Sequence, residues 1–474
     1  MSELPENWTA TTLGEISLLE MGQSPDGDAT NVTGSGYPLV GGASEFKCGG
    51  LTATRFTDQP TKLSEIGDII LCIRATIGKV AVADKIYCLG RGVAGIRPQL
   101  VDSDWLRRFL VYSGQALDEA GTGTTFRQID KATLNNWPLG LPPLPEQRRI
   151  VAKLDALLAG VARARKELDR VPSLIAHHKQ ALLAAAFSGE LTREWRGEHP
   201  EVWQGARRLH RRTVRRGVPE TAHAQDFLHD WIRPPEWRFE HVGSFLLDGS
   251  IVDVKDGNHG SNHPKRGDFG ATGLPFITAA QLTDDVFNYL DAPKIEGEPL
   301  GKLKVGFAEP GDVLLSHKGT VGRAAICTQS CVLSPQTTYY RPNTESFNGA
   351  FLRYLFMSPF FQKQLRGVES QTTRNFVPIL RQYQLFLLAP SLAEQEFIVR
   401  ILDEGFSWLN AASAEHELAA KLLPKLEQSI LAKAFRGELV PQDPADEPAA
   451  VLLARIRTER DGAARPARAR KARV

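Results

Sequence analysis

The chain says the same thing twice. AFSGELT at residues 186–192 returns as AFRGELV at residues 434–440, and the likeness runs upstream without a gap. At a constant shift of 248 residues Glu146-Gln147 falls on Glu394-Gln395, Ile150-Val151 on Ile398-Val399, and Leu154-Asp155 on Leu402-Asp403. Gln180 likewise falls on Gln428 and Leu183 on Leu431. Further upstream the shift moves in steps. GDIILCIRATIGKVAV (67–82) matches GDVLLSHKGTVGRAAI (311–326) at 244, and Trp8 and Gly14 match Trp237 and Gly243 at 229. Stepwise shifts mean loops of different length on a shared framework. A long-period repeat of this kind constrains the fold more than any local signal, because each element must be read as one of a pair.

The part that keeps its length has the pattern of a long helix. Ile150, Leu154, Leu157, Val161, Ala164, Leu168, Val171, Ile175, His178 and Leu182 are spaced alternately four and three, the a/d seam of a coiled coil. The second copy supplies Ile398, Leu402, Gly405, Leu409, Ala412, His416, Ala419, Leu423, Leu426 and Ile430. Glu146 and Glu394 stand in the first turn, where a carboxylate suits the helix dipole. Gly189 and Gly437 follow the last periodic residues as helix stops. Pro172 and Pro424 fall inside the pattern and predict a kink in each helix. Equal length and matched seams favour the two helices packing on each other, antiparallel if a pseudo-twofold axis relates the repeats. Two separate amphipathic helices, each packed on its own domain, stay open as the alternative.

The diverging blocks, 1–143 and 234–390, are rich in Gly, Pro and Thr and carry short apolar runs with β-branched residues. GDIILCIR, KVAVA, GDVLLS and RAAIC read as strands, and DWLRRFLVYS and GAFLRYLFMSPFFQKQL as helices. The expected fold class is therefore α+β. Two mixed α/β domains stand in pseudo-twofold repeat, separated by two long antiparallel coiled-coil helices. The chain divides into a first variable domain (1–143), a first long helix (144–192), an Arg-rich linker (193–233), a second variable domain (234–390), a second long helix (391–440) and a basic tail (441–474).

Charge is informative only locally. The net charge of +2 hides eight arginines between residues 193 and 216 and an arginine-rich stretch from 455 to 473. The five cysteines, Cys48, Cys72, Cys88, Cys327 and Cys331, form no CxxC pair and read as buried free thiols. No apolar run reaches the ~18 residues of a membrane helix, and residues 1–12 lack the apolar core of a signal peptide. A cytoplasmic protein without membrane attachment is expected.

Several enzyme signatures nearly form and then fail. RATIGKV lacks two residues of a phosphate-binding loop, needing Gly at Ile73 and Ser or Thr at Val80. His259 and His263 have finger-like spacing without a cysteine pair before them. Asp312 and Lys318 resemble a nuclease pair, but the matching copy puts Arg74 where Lys318 lies. A strand followed by a basic loop is the better reading. No catalytic or metal-binding residue is assigned.

The same loops are well supplied for reading DNA. Arg to guanine and Asn or Gln to adenine are common base-edge contacts, while Lys and Thr favour phosphate. The candidate contact residues of the first domain are Arg74, Lys79, Thr125, Arg127 and Gln128. Those of the second are Lys255, Asn258, His259, Lys265, Arg266, His317, Lys318, Arg323, Thr373, Arg374 and Asn375. TGTTFRQ (122–128) and SQTTRN (370–375) stand at equivalent places in the two copies. Ordinary solvated loops are the competing reading for any one of these residues. For the helices, Ile150, Leu154, Leu157, Val161, Leu168, Ile175, Leu402, Leu409, Leu423, Leu426 and Ile430 are assigned to the seam and to partner binding.

Two variable domains alternating with two repeated helices, each running from LPPLPEQRRIVAKLDALL or APSLAEQEFIVRILDE to AFSGEL or AFRGEL, resemble the DNA-specificity subunit of type I restriction–modification systems. The likeness covers nearly the whole chain, and KDGNHGSNHP and VPQDPADEPAAVLLARIR also look like that family. The resemblance implies that each variable domain is a target-recognition domain reading one half of a split double-stranded DNA target. Because the two domains differ, that target is expected to be asymmetric. The resemblance further implies that the helix pair sets the spacing and docks two modification subunits that methylate adenine, joined by motor–nuclease restriction subunits. The chain itself would hold no cofactor; S-adenosylmethionine, ATP and Mg would belong to the partners. The long Arg-rich linker departs from a simple connector. Two other classes remain as alternatives, a stand-alone DNA nuclease or methyltransferase and a coiled-coil protein-interaction scaffold.

Overall fold

The structure, a computed structural model, describes residues 4–47, 50–123, 127–202, 231–260, 263–283, 287–368 and 375–464. It divides into two units, Met1–Asp169 with Glu417–Val474, and Arg170–His416. The division cuts the two repeats within one residue of matched positions. Each unit therefore holds one variable domain, the start of that domain's own long helix, and the end of the other long helix.

The two domains share an inner four-stranded sheet. In the first its order is Ser17–Met21, Val93–Pro98, Ile69–Cys72, Val80–Val82; in the second it is Ile251–Asp256, Thr337–Pro342, Val313–Ser316, Ala324–Ile326. Every pairing in it is antiparallel. The strands GDIILC and GDVLLS are its buried centre, which explains their unbroken apolar runs. Their shared Asp is a structural anchor. Asp68 accepts from the backbone N–H of Glu65 at 2.8 Å and from Arg97 Nε at 2.8 Å. Asp312 accepts from Glu309 N–H and Arg341 Nε at the same distances. The outer sheets have diverged, with the order Cys88–Leu89, Tyr37–Val40, Arg55–Thr57, Thr30–Asn31 in one and Lys294–Ile295, Leu274–Ile277, Cys331–Leu333, Phe307–Ala308 in the other. Sequence drift thus sits on a fixed inner sheet.

Each domain closes on itself before its helix begins. Thr9–Thr12 pairs with Pro138–Leu141, and Arg238–His241 with Phe386–Ala389, both antiparallel. The EQ pair of the repeat then does two jobs. Gln147 accepts from Asp102 N–H and donates to Pro142 O; Gln395 accepts from Asn348 N–H and donates to Pro390 O. Both glutamines so pin the N-cap residue of a domain helix, Ser103–Tyr112 or Gly349–Met357, to the start of the long helix. Glu146 is buried and accepts from Trp8 Nε1 at 3.0 Å and Gln442 Nε2 at 2.7 Å. Glu394 is buried and accepts from Trp237 Nε1 at 2.9 Å, Thr192 Oγ1 at 2.5 Å and Arg196 Nη1 at 2.8 Å.

The AF-x-GEL ends complete the same junctions. Gly437 and Gly189 both have φ +77, and a Cβ on either would lie 2.3 Å from Pro5 or Pro234, three residues before each Trp. Positive φ and the close approach both require glycine there. Phe435 packs with Trp105, Phe109 and Tyr112; Phe187 packs on Phe351. The repeat exists because each domain is sealed by its own helix's first turn and by the other helix's last.

Within each unit the helix segments run antiparallel. Ile150 and Leu154 share a core with Leu431 and Ala434, and Arg165 pairs with Glu427 at 3.0 Å. In the other unit Ile398, Leu402 and Phe406 share a core with Leu183, Ala186 and Phe187, and the Leu182 side chain sits against Gly405. Of the assigned seam, Ile150, Leu154, Val161, Leu402 and Leu409 are buried, and Leu157, Leu168, Ile175, Leu423 and Ile430 half-buried. Leu426 is a correction: it is 50% exposed, and Glu427 turns inward instead. The matched positions of the first helix do the same, with His178 exposed and Lys179 half-buried. A straight helix drifts about 20° per heptad from a strict seven-residue seam, so the facing residue moves on by one.

Two further predictions need revision. The first long helix is two, Leu144–Leu168 and Val171–Phe187, parted at Asp169-Arg170 just before Pro172; the second runs unbroken from Leu392 to Phe435 through Pro424. The stretch read as a basic tail contains the helix Ala449–Ala464, whose Ala449, Leu452, Leu453 and Ile456 join the first domain's core while Arg457 pairs with Glu15 at 2.6 Å. Cys72, Cys88, Cys327 and Cys331 are buried free thiols; Cys48 lies outside the described residues. Among the described residues no helix is long and apolar enough to cross a membrane.

Candidate nucleic-acid interface

The turn after the central strand is clamped by a second loop in the same way in both domains. In the first, Ala75 N–H donates to Arg127 O at 3.0 Å and Ile129 N–H to Ile73 O at 3.0 Å. In the second, Gly319 N–H donates to Asn375 O at 3.0 Å and Val377 N–H to His317 O at 2.9 Å. Position 319 has φ +83 and position 75 has φ +63, so Ala75 adopts a backbone conformation that its glycine counterpart takes freely. The two loops that the sequence picked out as basic and amide-rich are therefore one surface feature, built twice.

In the first domain this places Arg74, paired by a β-bridge with Gln128, beside exposed Arg127 and Lys79. Arg127 is held by Asp118 at 3.2 Å, and Gln128 by a two-way backbone exchange with Thr122. Thr125 lies outside the described residues. In the second domain Lys318 bridges to Phe376, with its Nζ 5.5 Å from that ring, and Asn375 is exposed. Thr373 and Arg374 lie outside the described residues. Beside Lys318 is a cavity of about 560 Å³ whose wall includes His259, His263, Phe269, Phe276 and Gln336. His259 Nε2 lies 2.8 Å from Asp256 Oδ2. Lys255, Lys265 and Arg266 are exposed, the last opening the short turn Arg266–Asp268. Arg323 is half-buried, its Nη1 donating to Leu282 O at 3.0 Å.

Two assigned contact residues are buried and are corrected. Asn258 is 3% exposed; its side chain accepts from Lys304 and Val305 N–H and donates to Val305 O, so it pins a loop. His317 is fully buried, with Nδ1 on Val377 O at 3.0 Å and Nε2 without a partner. Burial pushes its pKa down to about 4, partly opposed by Asp256. The matching residue is buried Ile73, so His317 occupies a core position. Gln336, Phe269 and Phe276 were not singled out by the sequence. Phe276 lies on a strand of the diverged outer sheet, and Phe269 and Gln336 lie on loops beside it, where no match between copies marks them.

Asp312 does not face Lys318 as a nuclease pair would; its carboxylate is 2% exposed and held by Arg341. Among the described residues no group of three or more His, Cys, Asp or Glu is set to hold a metal ion.

The family described as "Type I restriction modification DNA specificity domain" matches residues 5–172. The EcoBI specificity subunit of a type I restriction enzyme from Escherichia coli is 27% identical over 474 residues, covering 96% of this chain and 93% of its own length. A solved HsdS subunit from Thermoanaerobacter tengcongensis superposes with a TM-score of 0.58 at 21% identity, over 92% of this chain and 98% of its own. A chain solved in work on complex assembly and conformational transition of the type I R-M system gives 0.63 at 22% identity, over 92% and 100%. At such identities the solved structures speak for the fold, and the sequence relatives for the family. The family model over the first copy and the sequence relatives over both copies support an assignment among the DNA-specificity subunits of type I restriction–modification systems.

Proposed function

We propose that this chain is the non-catalytic, target-reading subunit of its complex, each domain reading one half of an asymmetric bipartite DNA sequence. The observation that carries this reading is the loop pair built twice, 73–75 against 127–129 and 317–319 against 375–377, on one inner sheet with diverged surroundings. A repeated scaffold with unlike loops is what reading two unlike half-sites requires. Arg74, Lys79, Arg127 and Gln128 would read the first half, and Lys255, His259, Lys265, Arg266, Lys318 and Asn375 the second. The buried Asp312–Arg341 pair speaks against a nuclease.

Partner docking on the helices fits a second observation. Leu174 and Leu422 are matched at 248 residues, and they are 55% and 50% exposed. A solvent-facing leucine at a matched position in each helix suits two copies of one partner. These would be the modification subunits, which bring S-adenosylmethionine, with ATP and Mg bound by the motor–nuclease subunits, in the cytoplasm. The test is to express the chain with its modification subunit in a host free of adenine methylation and map methylated adenines by single-molecule sequencing. A split, asymmetric motif with a fixed spacer is expected; a continuous palindrome or no methylation would refute the reading.

A further inference from the structure

A cleft of about 660 Å³ lies in the unit Arg170–His416, at the root of the second domain. Its walls are the turn 320–323, the helix Pro359–Val368, and facing segments of the two long helices. Lys179, Arg323 and Arg366 line it, and among the described residues no Asp or Glu does. The turn is fixed from behind. Gln362 donates to Gly322 O at 2.7 Å, and Gly322, with φ +94, leaves no room for a Cβ against that side chain. Arg323 is held by one Nη1 bond to Leu282 O, and a guanidinium has four further N–H donors to offer. Arg366 is exposed and Lys179 half-buried.

A cleft of the other unit shares one matched residue with it. Gln428, the counterpart of Gln180, lines a cleft of about 350 Å³ there, together with Phe109, Tyr112, Gln115 and Glu119. Among the described residues that cleft has an acid and no Lys or Arg. Arg323 has Lys79 as its counterpart at the shift of 244, but Lys179 is matched by Glu427 at 248, so the repeated framework supplies only part of the cationic cluster.

We infer that the Lys179–Arg323–Arg366 cleft binds backbone phosphate of the DNA, flanking the half-site read by the second domain. The inference rests on the DNA-reading function proposed above. DNA is favoured over a protein partner because the cleft is continuous with the reading loop. The turn that carries Arg323 begins two residues after Lys318, and Gly319, just before it, is bonded to Asn375. Phosphate contacts position a duplex without reading its sequence, so the cleft adds grip and not specificity.

The test compares the full chain, assembled with its modification subunits, with the variant K179Q/R366Q. Binding to a fluorescein-labelled 40-bp duplex carrying the mapped motif is measured by anisotropy across a salt series. Each lost phosphate contact lowers the slope of log K against log salt by about 0.9. The slope is therefore expected to fall by about two units, with the methylated motif unchanged. R366K, which keeps the charge, is expected to keep the slope. Should the double variant melt early, R366Q alone, at an exposed position, is expected to lose about one unit. An unchanged slope overturns the inference, as does an unchanged slope accompanied by loss of the modification subunits, which would make the cleft a protein site. A wild-type complex that does not prefer its motif over a scrambled duplex would instead sink the reading on which the inference stands.

Discussion

The indole of Trp237 donates to Glu394 at 2.9 Å, and Trp8 donates to Glu146 at 3.0 Å. Each Trp opens a domain and each Glu opens the long helix that leaves it. The third party differs, being Thr192 and Arg196 at one junction and Gln442 at the other, but both come from just beyond a GEL motif. The held length of the repeat follows from this. The distance along the chain from E-Q to G-E-L must let the end of one helix meet the start of the other.

Glu146→Ala is expected to leave the buried Trp8 indole N–H unpaired, at a cost of about 1–3 kcal/mol. A lowered melting temperature of the full chain would show it. Burial raises the pKa of Glu146 above the usual carboxylate range, against the pull of Trp8 and Gln442. The folded state then holds this proton more tightly than the unfolded state, so the group favours folding most at low pH. That contribution is lost as pH rises from the ordinary carboxylate pKa through the raised one. Glu146→Gln keeps an acceptor for Trp8 and is expected to flatten this slope in melts taken across that window.

His317→Ile restores the residue type of the matched Ile73 and removes the orphaned Nε2. A gain of about 1 kcal/mol is expected, with DNA affinity unchanged. Because the folded pKa is depressed to about 4, the wild type loses stability as pH falls from about 6.5, where the unfolded histidine takes up its proton, toward 4. The variant should lack that loss in urea titrations over the same range. A fall in DNA affinity at neutral pH would restore His317 as a contact residue.

Asp312→Ala leaves Arg341 without its bidentate partner. Breaking a buried pair from one side costs about 3 kcal/mol or more, and Arg341, a quarter exposed, puts the loss near the lower figure. An early-melting transition of the second domain is the expected result; an unaltered melt would mean that Asp312 is not the anchor described above.

Leu174→Asp and Leu422→Asp are each expected to weaken binding of one modification subunit by roughly 1.5–3 kcal/mol, the value of burying a leucine. Sedimentation of the assembled complex should show a partner missing. Full retention of two partners by the double variant would place their docking elsewhere.

Much of the fold is legible because two copies check each other. The strands GDIILC and GDVLLS, the EQ starts and the glycine stops are all readable from matched positions. The site is less so. Loop composition says which side chains are able to contact DNA but not which way they point, and Asn258 and His317 point inward. The match of His317 to Ile73 holds the signal, since an isoleucine there implies core. Asp68 and Asp312 likewise have Arg97 and Arg341 at the same shift of 244, a pairing carried by the sequence itself. Leu426 misleads because a strict heptad is projected onto a helix that drifts. Leu452 and Ile456 lie beyond the matched block, which ends at the GEL motif, so no matched position announces their packing on the first domain.

If the long helices set the half-site spacing, one heptad inserted after Val161 and another after Leu409 keep the seam in phase. They lengthen the rod by about 10.5 Å at 1.5 Å per residue, or about three base pairs at 3.4 Å each. The methylated motif of the double insertion should show a spacer longer by that amount. An active variant with the original spacer would show that the helices do not measure it.

The most direct measurement exchanges residues 1–143 for the corresponding domain of a relative and maps the methylated adenines of cells carrying the hybrid with its modification subunit. One half of the motif is expected to change to the relative's, while the other half and the spacer stay as they were. A hybrid that altered both halves, or neither while remaining active, would contradict the claim that each domain reads its own half of the target.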